Sequence, residues 1–319
     1  MISRRTALAT SVAFLTSAFS GKLAGAAVSG GYRRGRRRLP SGCVLSYCEF
    51  GEPSGPLVFY FHGTPGSCIE AGLIEEEACQ AGVRLIAIDR PGIGSSSYQA
   101  QRCILDWPRN VVELADCLGY SDSSFGILGL SGGAPYASAC ALRIPDRLTH
   151  VAIVSGHTPP NSPGVCAGSA DNSIAFLGNH PRLGRFGVKL ISRRLDRRPD
   201  KVVEKVSKEW TASDKKLILC NPRYYNHMVA MLNEATQCGP DGVVTDVRLL
   251  GSCWGFELCA IQGVSVSIWQ GGCDRIAHPT MGKYFNRQIV GSELTIDPRA
   301  GHVTVLKWHA MEILSKFHV

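Results

Sequence analysis

At 319 residues, with 45% apolar and 19% charged residues, the chain is long enough for one large domain with a sizeable core, or one domain carrying an insertion. The net charge of +8 is not gathered into a lysine and arginine stripe interleaved with aromatics, which argues against a nucleic-acid partner. Thirteen scattered cysteines contain no C-x-x-C pair, so neither a disulfide scaffold nor a zinc site is expected. They read as small buried hydrophobes, with one or two disulfides left open.

The chain opens on Ser3-Arg4-Arg5-Thr6, a moderately apolar stretch to Phe19, then Lys22 and Ala24-Gly25-Ala26. Twin arginines, a short apolar run and an A-x-A-like site read as an export signal over residues 1–26, cleaved after Ala26. It resembles a twin-arginine (Tat) signal and implies a periplasmic destination, although the usual Phe and Lys after the arginines are missing. An organellar transit peptide or a signal anchor is the alternative, there being no acidic residue before Glu49. The run is too short and polar for a membrane span of about 20 residues, so none is expected once the signal is gone. Without Arg4, Arg5 and Lys22 the net charge falls from +8 to +5.

Residues 32–39, with five arginines, read as a solvated linker or edge strand. Residues 43–50 alternate loosely, as an antiparallel edge strand would, and 51–56 are a turn. Residues 57–61 form a continuous apolar run, the mark of a strand buried on both faces. A helix over 70–81, a second buried strand over 83–88, and a helix capped by Asp106 with Pro108 in its first turn follow. Residues 125–128 lead as a strand into Gly129-Leu130-Ser131-Gly132-Gly133, a helix covers 134–142, and a strand 148–154. Regularity then breaks. Between 157 and 262 only 201–210 and 227–234 look helical. Alternation resumes with a strand over 264–269, a helix near 281–288, a strand over 293–296 and a last helix over 304–317. The core segments are thus 27–156 and 263–319. This is an α/β pattern, a mostly parallel sheet with helices on both faces and a helical insertion over 157–262.

Gly129-x-Ser131-x-Gly133, between a strand and a helix, is G-x-S-x-G in the setting of a nucleophile elbow. The serine sits in a tight turn, and side chains two positions either side would collide with neighbouring backbone. In open α/β sheets, sites form beyond the carboxyl ends of the strands, and three more motifs lie at such ends. His62-Gly63-Thr64-Pro65-Gly66 follows the first buried strand, where the backbone N–H of Thr64 could join that of Gly132 as an oxyanion hole. Gly271-Gly272-Cys273-Asp274 offers a carboxylate and Ala300-Gly301-His302 an imidazole. Serine, acid, histidine is the chain order of α/β-hydrolases, and not that of the chymotrypsin or subtilisin folds.

The chain after residue 40 therefore resembles the α/β-hydrolase fold family. His62-Gly63-Thr64-Pro65-Gly66 is similar to the H-G-x-P-G oxyanion loop of its proline iminopeptidase-like members. Asp89-Arg90-Pro91-Gly92-Ile93-Gly94-Ser95-Ser96 resembles its D-x-x-G-x-G-x-S turn, and Trp254-Gly255-Phe256-Glu257-Leu258 a stretch of bacterial members. The resemblance implies an eight-stranded sheet with a cap after the sixth strand. It also implies Ser131 as nucleophile, His302 as general base and Asp274 as its orienting carboxylate. A serine at the elbow implies acyl transfer on a small ester or amide rather than the aspartate chemistry of dehalogenases and epoxide hydrolases. Carbon–carbon hydrolysis, peracid formation and a non-catalytic ligand-binding member are the alternatives. No cofactor and no metal are expected.

The remaining candidates have plainer readings. His62 shapes the oxyanion loop, His278 is a loop residue near the site, and His309 and His318 face solvent. The cations from Arg182 to Arg198 read as a solvated helix face, with an acidic or membrane-associated substrate as the alternative. Phe176, Trp210, Tyr224, Tyr225 and Trp254 line a pocket or form a small core of the cap.

Overall fold

The computed structural model describes residues 32–318, so the reading of residues 1–26 as an export signal lies outside it. Eight strands form one sheet: β1 (Arg33–Arg38), β2 (Val44–Gly51), β3 (Leu57–Phe61), β4 (Arg84–Ile88), β5 (Phe125–Leu130), β6 (Leu148–Val154), β7 (Val266–Gly271) and β8 (Glu293–Asp297). Their order is β1-β2-β4-β3-β5-β6-β7-β8, with β2 antiparallel to both neighbours and every pair from β4 to β8 parallel. The chain winds outward from β3 to β4, then returns across β3 to β5. This reversal opens a crevice at the carboxyl ends of β3 and β5.

The burial of each strand follows its place. β3, β5 and β7 are buried at every residue, β3 as its continuous apolar run predicts, β7 with Ser267 and Gln270 buried among its apolar residues. Val58 and Tyr60 turn to one face of the sheet, Phe59 and Phe61 to the other, and each face carries its own core. On one face α2 (Trp107–Cys117), α3 (Ala134–Arg143) and α10 (Pro279–Gln288) contribute Trp107, Tyr136 and Phe285. On the other, α1 (Glu75–Gln80), α11 (Thr304–Trp308) and α12 (Ala310–Ser315) close over the sheet with Ala78, Val305 and Leu314. β1 is one of the two edge strands, with β8 at the other end, and its exposed arginines discourage pairing with another chain.

Several expected elements differ in detail. Residues 70–81 do not form one helix: a 3-10 turn, Cys68–Ile74, precedes α1. This turn is wedged between the sheet and the insertion, where a Cβ on Gly72 would lie 2.3 Å from the His227 ring. Asp106 occupies the N-cap position of α2, as expected, but its side chain makes no bond to that helix. Its carboxylate reaches back to the Cys103 N–H at 2.7 Å. The last helix breaks at His309, whose ring bonds Asp297 and Glu312; His309 is half-buried rather than facing solvent.

The insertion after β6 holds six helices where the sequence pattern suggested two: α4 (Asp171–Asn179), α5 (Pro181–Arg197), α6 (Pro199–Val206), α7 (Ala212–Leu219), α8 (Pro222–Thr236) and α9 (Asp241–Leu250). Prolines start α5, α6 and α8, where a missing N–H costs nothing. Beyond α9 the chain rejoins the main core through Trp254, Leu258 and Ile261. Among the described residues no helix is long and apolar enough to cross a membrane.

Candidate active site

The turn after β5 is held by steric necessity. Ser131 adopts φ +53°, the left-handed region that a residue with a side chain enters only at a cost of about 1–3 kcal/mol. A Cβ on Gly133 would lie 2.2 Å from the Phe61 carbonyl oxygen, and one on Gly129 2.9 Å from both Ala137 Cβ and the Gly133 oxygen. A larger residue at 133 would push the turn off the end of β3, and one at 129 would push the start of α3 away from β5. Ser131 is thereby aimed at the crevice, almost fully buried.

The loop after β3 lies against this turn. A Cβ on Gly132 would meet Thr64 Oγ1 at 2.4 Å and the Thr64 nitrogen at 3.1 Å, so the two peptide units adjoin. His62 is fully buried beneath them. Its Nδ1 donates to the Gly63 carbonyl at 2.8 Å, and its Nε2 accepts from the Arg90 N–H at 3.4 Å. Burial first, and the Arg90 charge second, hold its pKa well below the ordinary imidazole value. His62 is a neutral, fixed part of the loop wall.

Two groups not singled out in the sequence hold the same loop. Arg90, fully buried, donates to the carbonyls of His62 and Gly63. Its Nε bonds Asp246 of α9 at 2.8 Å. Asp246 also bonds Arg102, and accepts from the Tyr136 hydroxyl at 3.0 Å. Burial favours the neutral acid, but the two guanidinium charges outweigh it and hold Asp246 below the usual carboxylate range. Glu70, from the 3-10 turn, accepts from the Gly63 N–H at 2.7 Å and the Tyr60 hydroxyl at 3.2 Å. Burial pushes its pKa up to about 7 despite those bonds.

Asp274 and His302 come from the loops after β7 and β8. Asp274 Oδ2 accepts from His302 Nδ1 at 2.8 Å, which leaves Nε2 as the nitrogen turned to the cavity. The other oxygen accepts from the Ile276 and Ala277 N–H groups at 2.8 and 3.1 Å, which fixes the carboxylate plane. Burial opposes a charged imidazole, but Asp274, through its charge and its hydrogen bond, outweighs it. With Asp214 and Glu70 adding to the field, the His302 pKa lies above its ordinary value. His302 also rests on the insertion: its backbone N–H donates to Asp214 of α7 at 2.9 Å.

Gly63, Thr64, Ser131 and His302 line one cavity of about 350 Å³ between the sheet and the insertion. Asp274 stands behind His302, while Gly132 adjoins Thr64 at the edge of the loop. Trp210 and Tyr224 are in the cavity wall, as the sequence allowed. Phe176 is exposed, Tyr225 packs half-buried against the core that the insertion shares with one face of the sheet, and Trp254 packs on Phe285 in the other core. His278 is not in the wall; it caps α10 by accepting from the Thr280 N–H. Most cations from Arg182 to Arg198 lie exposed on α5.

Asp214, Asp246, Glu70 and the guanidinium of Arg90 are what sequence reasoning missed. Thr211-Ala-Ser-Asp214 does carry a capping-box spacing, and Thr211 Oγ1 accepts from the Asp214 N–H. That pattern marks a helix start and says nothing of His302. Among the described residues Cys68, Asp89 and Glu234 are the one cluster whose spacing suits a metal. Its chemistry does not. Glu234 is paired with Arg34, burial raises the Cys68 thiol well above its ordinary value, and Asp89 is spent on the Cys68 N–H and Ser46.

Several solved structures share this fold. A thermophilic esterase from Thermogutta terrifontis is 19% identical, matching 90% of this chain and all of that one with a TM-score of 0.65. An enol-lactonase from Burkholderia xenovorans LB400 is 15% identical over 88% of this chain and 96% of that one, TM-score 0.62. A bromoperoxidase from Bacillus anthracis is 17% identical over 89% and 97%, TM-score 0.60. At such identities the likeness speaks for the fold alone. No curated protein sequence matches this chain significantly. The family description Alpha/beta hydrolase family, by contrast, matches residues 58–312, most of the sheet and the whole insertion, and the chain belongs to that family.

Proposed function

We propose that this protein is a serine hydrolase that cleaves an ester or amide bond of a small molecule through an acyl-enzyme. Ser131 Oγ attacks the carbonyl carbon while His302 Nε2 takes its proton. Asp274 accepts from His302 Nδ1–H and stabilises the imidazolium. The oxyanion is received by the N–H groups of Thr64 and Gly132, each worth roughly 3 kcal/mol of barrier. His302 then returns the proton to the leaving group, and a water molecule attacks the acyl-enzyme by the same route.

The observation that carries this reading is the 2.8 Å contact between Asp274 and His302, with Ser131 strained into the wall of the same cavity. Leu73, Met228, Met231 and Trp210 make much of that wall apolar, which suits an acyl or alkyl chain rather than a highly charged substrate. The related esterase, enol-lactonase and bromoperoxidase share the fold, and an ester or lactone is the reading their names favour. Export through the Arg4-Arg5 segment, with cleavage after Ala26, belongs to the same proposal and would place the enzyme outside the cytoplasm.

A fluorophosphonate probe tests the chemistry. The purified protein is expected to take one equivalent, and Ser131→Ala and His302→Ala none or very little. Labelling that survives Ser131→Ala refutes the nucleophile. A chain-length series of nitrophenyl esters beside aminoacyl anilides then separates esterase from peptidase. For export, a reporter fusion that leaves the cytoplasm equally well with Arg4 and Arg5 replaced by lysine counts against the Tat route.

A further inference from the structure

We propose that Asp214, supplied by helix α7 of the insertion, is a positioning residue for His302, so that the insertion helps to build the proton acceptor instead of only covering it. The inference rests on the serine-hydrolase reading above and adds to it a residue from a different part of the fold.

Asp214 is completely buried, and its two oxygens accept five hydrogen bonds. Oδ2 takes the His302 N–H at 2.9 Å and the Thr211 hydroxyl at 2.8 Å. Oδ1 takes the N–H groups of Val303 and Thr304 at 3.0 and 2.8 Å and the Thr304 hydroxyl at 2.9 Å. Among the described residues no lysine or arginine is paired with it, so hydrogen-bond donors alone compensate the buried charge. Three of the five are consecutive peptide N–H groups beginning at His302 itself. A carboxylate accepting several peptide N–H bonds is among the stronger ties a loop can have.

The loop is also shaped around this carboxylate. A Cβ on Gly301 would lie 2.0 Å from Asp214 Oδ2 and 2.3 Å from Thr211 Oγ1. The glycine before the histidine is thus required by the approach of a group from the insertion and not by a turn of its own. Thr304 completes the arrangement, accepting from the Gly301 N–H at 2.7 Å while donating to Asp214. The ionisable groups facing His302 are Asp274, Asp214 and Glu70, and all three favour its charged form. Asp214 therefore acts on His302 twice, through the backbone and through the field. The imidazolium formed during attack gains from both.

The two actions separate by substitution. Enzyme is counted by fluorophosphonate titration, and kcat, KM and the pH profile of kcat/KM are measured on a nitrophenyl ester. Asp214→Asn keeps the shape but loses the charge and one acceptor. Its kcat is expected to fall about 10- to 100-fold with KM changed less than about threefold. The acid limb should move to lower pH by about half a unit, because an imidazole with one less carboxylate nearby loses its proton more readily. Asp214→Glu keeps the charge but displaces it, so kcat should fall with the limb unmoved. Gly301→Ala, which expels the carboxylate with a methyl group, should lower kcat as Asp214→Asn does.

A role in stability alone would lower the melting temperature and leave both the limb and kcat per titrated site where they are, and that result overturns the proposal. Wild-type kcat in Gly301→Ala or Asp214→Glu does so as well, and these two decide the matter where Asp214→Asn fails to fold. A wild-type protein that takes no probe overturns the serine-hydrolase reading, and this one with it. A labelled wild type with indifferent variants overturns this one only.

Discussion

The turn at Ser131 and the loop at His302 sit in the same cavity but are made rigid in opposite ways. Ser131 is held by its immediate neighbours: β5 ends, Gly133 lets the chain pass β3, and Gly129 makes room for α3 to begin. His302 is held from afar, by Asp274 beyond β7 and by Asp214 from a helix 88 residues earlier in the chain. The loop after β3 belongs with His302, since Arg90 grips its carbonyls and is itself gripped by Asp246 of α9. The Ser131 turn is thus set largely by its own short sequence, while the His302 loop and the loop after β3 depend on how the insertion docks on the sheet. An insertion that ties two loops with buried carboxylates is part of the frame, not a detachable lid.

The largest effects test the Ser131 side of this contrast. Ser131→Ala is expected to lower kcat by about 10⁴-fold or more, with the melting temperature unchanged or raised, since an isolated turn supports nothing else. Adding His302→Ala should cost little beyond the single change, because residues acting as one unit are not additive. Steady-state kinetics on both variants and the double mutant check this.

Asp274→Asn comes next, with kcat lower by roughly 10³- to 10⁴-fold as the imidazole loses its tautomer and its counter-charge. In the wild type the acid limb of kcat/KM should fall above pH 6.5. His302 must be neutral to accept the proton, its pKa is raised, and activity is therefore lost as pH drops through that raised value.

On the distant side, Asp246→Asn should destabilise by about 3–5 kcal/mol in urea unfolding, for it leaves Arg90 and Arg102 buried without their counter-ion. If it also slows turnover while Ser131 still takes the probe, the oxyanion loop has loosened and the elbow has not. A loss of less than about 1 kcal/mol would remove the distinction between the two kinds of support.

Glu70→Gln has a smaller, pH-dependent effect. A carboxyl raised from 4.5 to about 7 keeps its proton in the folded state after the unfolded chain has lost it, so stability falls as pH rises across that window. Glutamine removes this contribution, about 2–3 kcal/mol between pH 4 and 8, and leaves the lesser slope from Asp89, raised to about 6. Urea titrations across pH should show the variant gaining on the wild type above pH 5. Least of all, Arg193→Glu with Arg197→Glu on α5 should change stability by about 0.5 kcal/mol or less and leave hydrolysis of small esters unaltered, both side chains being exposed.

The α/β class, the mostly parallel sheet and the four strand-end motifs could all be read from the sequence. Each depends on local facts: apolar runs of strand length, glycines where backbones must pass, and an alternation that only a sheet with helices on both faces can bury. The same local reading misjudged the insertion, because proline before a helix and proline that breaks one look alike until the helix has something to pack against. Nor could any spacing rule reach Asp214 or Asp246, which are single carboxylates in ordinary helices. Their importance arises when folding buries them, at a cost that only a particular set of distant donors offsets. Sequence determined where the proposed reacting groups emerge from the sheet. Tertiary structure decided what holds two of them in place, since a buried charge takes its partners from space and not from the order of the chain.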